Sequence, residues 1–139
     1  MQATDTLDGA RLMRELVRRS PFALHLGIQL AELADGRAVL RLPFREEVVT
    51  VGSTVHGGAI ATLVDTAAMA AAWAGAEVPD PPRGSTVSLT VDYLAPADGR
   101  GIEAVASVVR CGRRLTTVRI DAHAGDTHVA TALVTYQIG

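Results

Sequence analysis

His56-Gly57-Gly58-Ala59-Ile60-Ala61-Thr62-Leu63-Val64-Asp65-Thr66-Ala67 opens the stretch that decides the fold. From Gly57 to about Gly75 there is no proline, alanine dominates, and Asp65 is the single charge. Alanine is the best helix former, so the spacing predicts a helix over 57–75 with Gly75 near its C-cap. Almost every face is apolar or small, and such a helix is expected to be buried all round. Its length approaches that of a membrane span, but the central Asp and the alanine content lower its tendency to insert. The stretch therefore reads as a buried helix of a soluble protein.

Downstream, Pro79, Pro81 and Pro82 mark a loop. After Gly84 the period becomes two, with Val87, Leu89, Val91 and Tyr93 alternating with Ser88, Thr90 and Asp92. Ile102–Arg110 and Leu115–Ala124 read as strands joined at Cys111-Gly112-Arg113, and Gly125-Asp126 turns into a last strand, His128–Tyr136. Upstream, Asp8 is expected to cap a helix whose Leu12, Met13, Leu16 and Val17 recur at helical spacing, and Ser20-Pro21 to end it. Leu26–Leu33 and Ala38–Leu42, around a turn at Gly36, read as a hairpin, and 43–55 as a loop. The class is α+β: helix, two strands, long helix, four strands. Antiparallel strands must cover one face, and only the central helix is large and apolar enough to do it. A sheet curled around that helix is expected, with a helical extension over 1–20.

The 139 residues fit one domain, 1–139, able to bury roughly two thirds of its unfolded surface without staples. A net charge of −2 excludes the basic field that nucleic-acid binding needs. All 13 basic residues are arginine, so an anionic ligand must be met by a local cluster. Arg110, Arg113 and Arg114 flank one hairpin turn, either as solvated loop charge or as a phosphate clamp. The lone Cys111 permits no intrachain disulfide and fits a reducing compartment. Met1–Asp8 has two Asp and no apolar run, unlike a secretory signal. A cytoplasmic protein that neither spans nor binds a membrane is expected. His25, His123 and His128 have no ligand spacing with one another or with Cys111, so no metal site is expected.

An unpaired carboxylate inside an apolar helix is costly and needs partners or a function. Two glycines at the helix start weaken it by about 1 kcal/mol each relative to alanine, but they let a ligand approach free N–H groups at the positive end of the helix dipole. The Gly57 N–H there is a credible contact for a carbonyl oxygen that develops negative charge. Gly57 and Asp65 are eight residues apart, hence roughly 12 Å along one helix. One carboxylate cannot act on a carbonyl held at its own helix start, so a shared reaction requires two subunits. His56 is either a base or, as favoured here, a structural residue fixing the loop-to-helix turn through its ring nitrogens.

His-Gly-Gly followed by Asp nine positions after the His, then a strand and Pro96, resembles the hotdog thioesterase superfamily in its phenylacetate-pathway (PaaI-like) branch. The resemblance covers about residue 20 to the end. It implies a five- or six-stranded antiparallel sheet around the long helix, and homodimers that often pair into tetramers. It also implies hydrolysis of acyl-CoA thioesters with no metal or cofactor beyond the CoA of the substrate. Residue by residue, it assigns the catalytic acid to Asp65 and the oxyanion contact to Gly57; Gly58 beside it is expected to bind substrate. The Ser or Thr ten residues before the Pro, which orients the attacking water, falls on Thr86. Many members carry Asn six residues before the His and Gly three before it. Thr50 and Ser53 stand there in this chain, and a Thr hydroxyl can still donate one hydrogen bond. The Arg110–Arg114 turn lies where family members contact CoA. The same fold also hosts enoyl-thioester hydratases, non-catalytic acyl-CoA-binding proteins and hydrolases of carrier-protein thioesters, which remain alternative readings.

Overall fold

The computed structural model describes residues 8–139; residues 1–7 of the expected N-terminal extension lie outside the described residues. Asp8 caps α1 (Gly9–Arg19) by accepting the Arg11 N–H at 2.7 Å. Met13 and Val17 bury one face of α1 against the long helix. Pro21 does more than stop α1. It starts a second, short helix, α2 (Pro21–Leu26), because a proline at the first helical position loses no needed N–H. Gly27, in the left-handed region at φ 76°, closes α2. The strand expected from Leu26 therefore begins later, as β1 (Gln29–Ala34), and turns at Gly36 into β2 (Arg37–Leu42). The expected loop 43–55 holds a 3-10 turn over Glu46–Val48 and a small hairpin, β3 (Val49–Val51) with β4 (Thr54–Val55).

The long helix is α3 (Gly57–Ala74), followed by β5 (Gly84–Tyr93), β6 (Ile102–Cys111), β7 (Leu115–Ala124) and β8 (Thr127–Ile138). The six long strands form one antiparallel sheet in the order β1-β2-β6-β7-β8-β5. α3 lies across its inner face. Ala67, Ala68, Ala70 and Ala71 are fully buried there, with Ala38, Ala104, Ala106, Ala122 and Ala130 among the buried sheet residues. By length and mean hydropathy α3 could cross a membrane, but here it is the core helix of this sheet.

One expectation about α3 fails. It is not buried all round: Gly58 is exposed, and Ala61, Thr62, Asp65, Thr66 and Met69 are only half-buried. These residues recur three or four apart and so form one stripe. Thr62 and Thr66 satisfy their hydroxyls on the backbone of this stripe, on Gly58 O at 2.8 Å and Thr62 O at 2.7 Å. The stripe adjoins β5, a ten-residue edge strand whose Val87, Leu89 and Tyr93 are exposed.

Trp73, at the end of α3, donates its indole N–H to the Tyr136 hydroxyl of β8 at 2.9 Å, buried between helix and sheet. Burial pushes the Tyr136 phenol above its ordinary range; the Trp73 bond lowers it by less, and the Asp65 charge adds a still smaller rise. Above about pH 10 the unfolded chain releases this proton while the native state still holds it. The stabilisation is complete below that pH and falls as pH rises through the native value. Tyr136→Phe should flatten the alkaline loss in urea titrations between about pH 9 and about pH 11. At neutral pH it should cost about 1–3 kcal/mol, because Trp73 loses its acceptor.

Candidate active site

Asp65 sits half-buried in the middle of α3, and the Thr86 hydroxyl donates to its Oδ1 at 2.6 Å. Strict alternation along β5 would point Thr86 away from the helix, on the side of Ser88, Thr90 and Asp92. A β-bulge between Thr86 and Ser88 inserts Val87 without a pairing partner and shifts the phase by one. Thr86 thereby joins Leu89, Val91 and Tyr93 on the inner face, where it reaches Asp65. Both residues expected at this end of the site are brought together. The bulge that does so has no signature in composition.

The other end is built at the start of α3. His56 is the N-cap residue, and its Nδ1 accepts the Gly58 N–H at 2.7 Å. A neutral His56 ring therefore carries its proton on Nε2. A Cβ on Gly58 would stand 2.9 Å from the His56 ring, so the cap requires glycine there. Gly58 thus commits its N–H to His56, while the Gly57 N–H makes no hydrogen bond among the described residues. The His56 carbonyl accepts from Ala59 at 2.9 Å and Ile60 at 3.2 Å, and its N–H donates to Val48 O at 2.7 Å. Tyr93, read from sequence only as an alternating strand residue, donates its hydroxyl to Gly57 O at 2.8 Å. Its place at the inner phase of β5 was the available signal.

Beside this helix start lies a cleft of about 290 Å³ lined by Phe22 and Leu26 of α2, Glu47, Val48, His56 and Gly58, among others. Asp65 does not line it. Both ends belong to the unbroken α3, about 12 Å apart along its axis. Thr50 is not drawn to either end; it sits exposed in the irregular β3–β4 hairpin, and its side chain makes no hydrogen bond among the described residues. Arg110, Arg113 and Arg114 are exposed around an open depression of about 780 Å³ and pair with no carboxylate among the described residues. They stand at the Thr86 end of the sheet, where Thr86, Tyr136, Thr116 and Cys111 form one cross-strand row. His123 and His128 stack at 4.4 Å, and His128 Nε2 meets Asp121 at 2.9 Å. Among the described residues no cluster of three His, Cys, Asp or Glu side chains has the geometry to hold a metal ion.

An acid steadied by a strand hydroxyl and a free N–H at a helix start form a set suited to acyl transfer. The family model described as the thioesterase superfamily matches residues 52–131. A Halobacterium salinarum protein is 36% identical over 123 residues, 86% of this chain and 81% of its own. The medium/long-chain acyl-CoA thioesterase YigI of Salmonella typhimurium is 31% identical over 157 residues, covering 100% of both chains. Among solved structures, a thioesterase family protein from Silicibacter pomeroyi matches with a TM-score of 0.86 at 28% identity, over 94% of this chain and 97% of that one. A mutant of the phenylacetic acid degradation protein PaaI from Thermus thermophilus matches with a TM-score of 0.76 at 28% identity, over 85% and 98%. The chain belongs to the thioesterase superfamily, as a hotdog-fold member of the PaaI-like type.

Proposed function

We propose that the protein is an acyl-CoA thioesterase in which Asp65 of one protomer acts on a thioester held at the partner's Gly57. The observation that carries this reading is the 2.6 Å bond from Thr86 to Asp65 Oδ1, which steadies the carboxylate and leaves Oδ2 for water. Asp65 either takes a proton from that water or attacks the carbonyl carbon itself. Direct attack expels the thiolate as the C–S bond breaks and gives a transient anhydride; water then hydrolyses this to the free acid, and the proton released passes to the thiolate. In the first route hydroxide adds to the carbon and the Gly57 N–H receives the charge on oxygen. The C–S bond then breaks, and the proton held by Asp65 passes to the leaving thiolate. The apolar cleft beside His56 and Gly58 suits the acyl group. No cofactor takes part.

Two features support a homodimer. The long edge strand β5 offers unpaired backbone groups and exposed apolar side chains, a template for a second chain. A two-fold axis at Thr90 would pair Val91 with the partner's Leu89 and, past the bulge, Tyr93 with the partner's Thr86, each pair on matching faces. That register brings the Asp65 end of one chain to the Gly57 end of the other. A tetramer would pair two such dimers. We infer a cytoplasmic setting, in keeping with one exposed free thiol, Cys111. YigI is named for medium- and long-chain acyl-CoAs, which makes them the first substrates to test.

Asp65→Asn should lower thiol release from acyl-CoAs by about 10²–10⁴-fold, with the dimer intact by light scattering. Thr86→Val should follow it in direction and Thr86→Ser should keep most activity. Near-normal turnover by Asp65→Asn would sink the assignment. An unaltered chain silent on short-, medium-, long-chain and aromatic acyl-CoAs would favour a binding protein, a reading to which the unengaged Thr50 points. The three arginines are proposed to meet the phosphates of CoA. Replacing Arg113 and Arg114 by Ala should raise KM for an acyl-CoA roughly two- to fivefold. KM for the matching acyl-pantetheine, which lacks the nucleotide, should stay unchanged.

A further inference from the structure

We propose that Tyr93 is a positioning residue: its hydroxyl fixes the Gly57–Gly58 peptide and, through it, the direction of the Gly57 N–H. This rests on the thioesterase reading above.

A glycine at the first position of a helix is held by little of its own, since it has no Cβ and a wide range of φ and ψ. Here both peptide planes that meet at the Gly57 Cα are tied down. The plane before it carries the Gly57 N–H and is fixed by the His56 carbonyl, which accepts from Ala59 and Ile60. The plane after it is bonded at both of its polar atoms. Its oxygen, Gly57 O, accepts from Tyr93 at 2.8 Å, and its N–H, that of Gly58, donates to His56 Nδ1 at 2.7 Å. A peptide unit is planar, so two bonds on opposite ends stop its rotation. A bonded carbonyl also makes its own N–H a better donor, which strengthens the His56 cap.

The ring adds a steric element. Its edge lies 3.4 Å from where a Gly57 Cβ would stand, in ordinary contact, so it covers the glycine without strain. Within one protomer Tyr93 is about half exposed, at 53%, and so contributes little as a core residue. Its hydroxyl bond is the specific interaction it makes there. Each copy of the strand therefore serves both shared sites: Thr86 holds the acid of one, and Tyr93 holds the peptide next to the carbonyl-binding N–H of the other.

Tyr93→Phe removes only the hydroxyl and keeps the ring. In the intact dimer with an acyl-CoA substrate, kcat should fall about tenfold, short of the loss from deleting an oxyanion donor outright. KM should move less than about twofold, with melting temperature and dimer unchanged. In ¹⁵N-resolved spectra the Gly57 and Gly58 amide resonances should shift and the Gly58 amide should exchange faster. An unchanged kcat, unchanged glycine amides, or a kcat loss that tracks lost melting temperature or dimer would each overturn the proposal. These failures differ from that of the thioesterase reading, in which the unaltered chain itself releases no thiol.

Discussion

Close contact between an alanine-rich helix and an alanine-rich sheet face is the constraint on which this molecule depends. α3 presents Ala67, Ala68, Ala70 and Ala71 to a face that offers Ala38, Ala104, Ala106, Ala122 and Ala130. Larger residues at these positions would push helix and sheet apart, and interiors this dense absorb added volume poorly. The short approach has a chemical result. It lets Thr86, a short side chain on a strand, reach a short carboxylate on the helix. It also sets the Tyr136 hydroxyl against the Trp73 indole at the same end of the sheet.

Much of the fold was legible because its signals are strong and local. The alanine run, the change of period after Gly84 and the turns at Gly36 and Gly125 mark nearly every long element. What escaped depends on context. Pro21 serves equally well as the end of one helix and the start of the next, and only the left-handed Gly27 beyond it decides. The short 3-10 turn and the β3–β4 hairpin carry too few residues for a period to emerge. The half-open stripe of α3 was hidden because alanine and threonine look alike whether they face a sheet or a neighbour.

The site divides in the same way. Asp65 was conspicuous as one charge in an apolar helix, and His56 read as a base or as the residue fixing the loop-to-helix turn, where its ring accepts the Gly58 N–H. Gly57 read as the oxyanion contact and Gly58 as a substrate-binding neighbour; in the structure Gly58 gives its N–H to the His56 ring, while Gly57 keeps its own. Thr86 came from counting back from Pro96, a count that absorbs the bulge without revealing it. Tyr93 was invisible as a hydrogen-bond donor because nothing in a strand pattern says which tyrosine meets a carbonyl.

The unpaired Val87 gives β5 a parity. Thr86 and Tyr93 lie an odd number of positions apart, yet look the same way only because one residue between them has no partner. Side chains along this strand can be exchanged while that parity stands. Gaining or losing one residue between them, unless at the bulge itself, would turn one end of the strand away from the helix. The strand is thus open to change in spelling and closed to change in length.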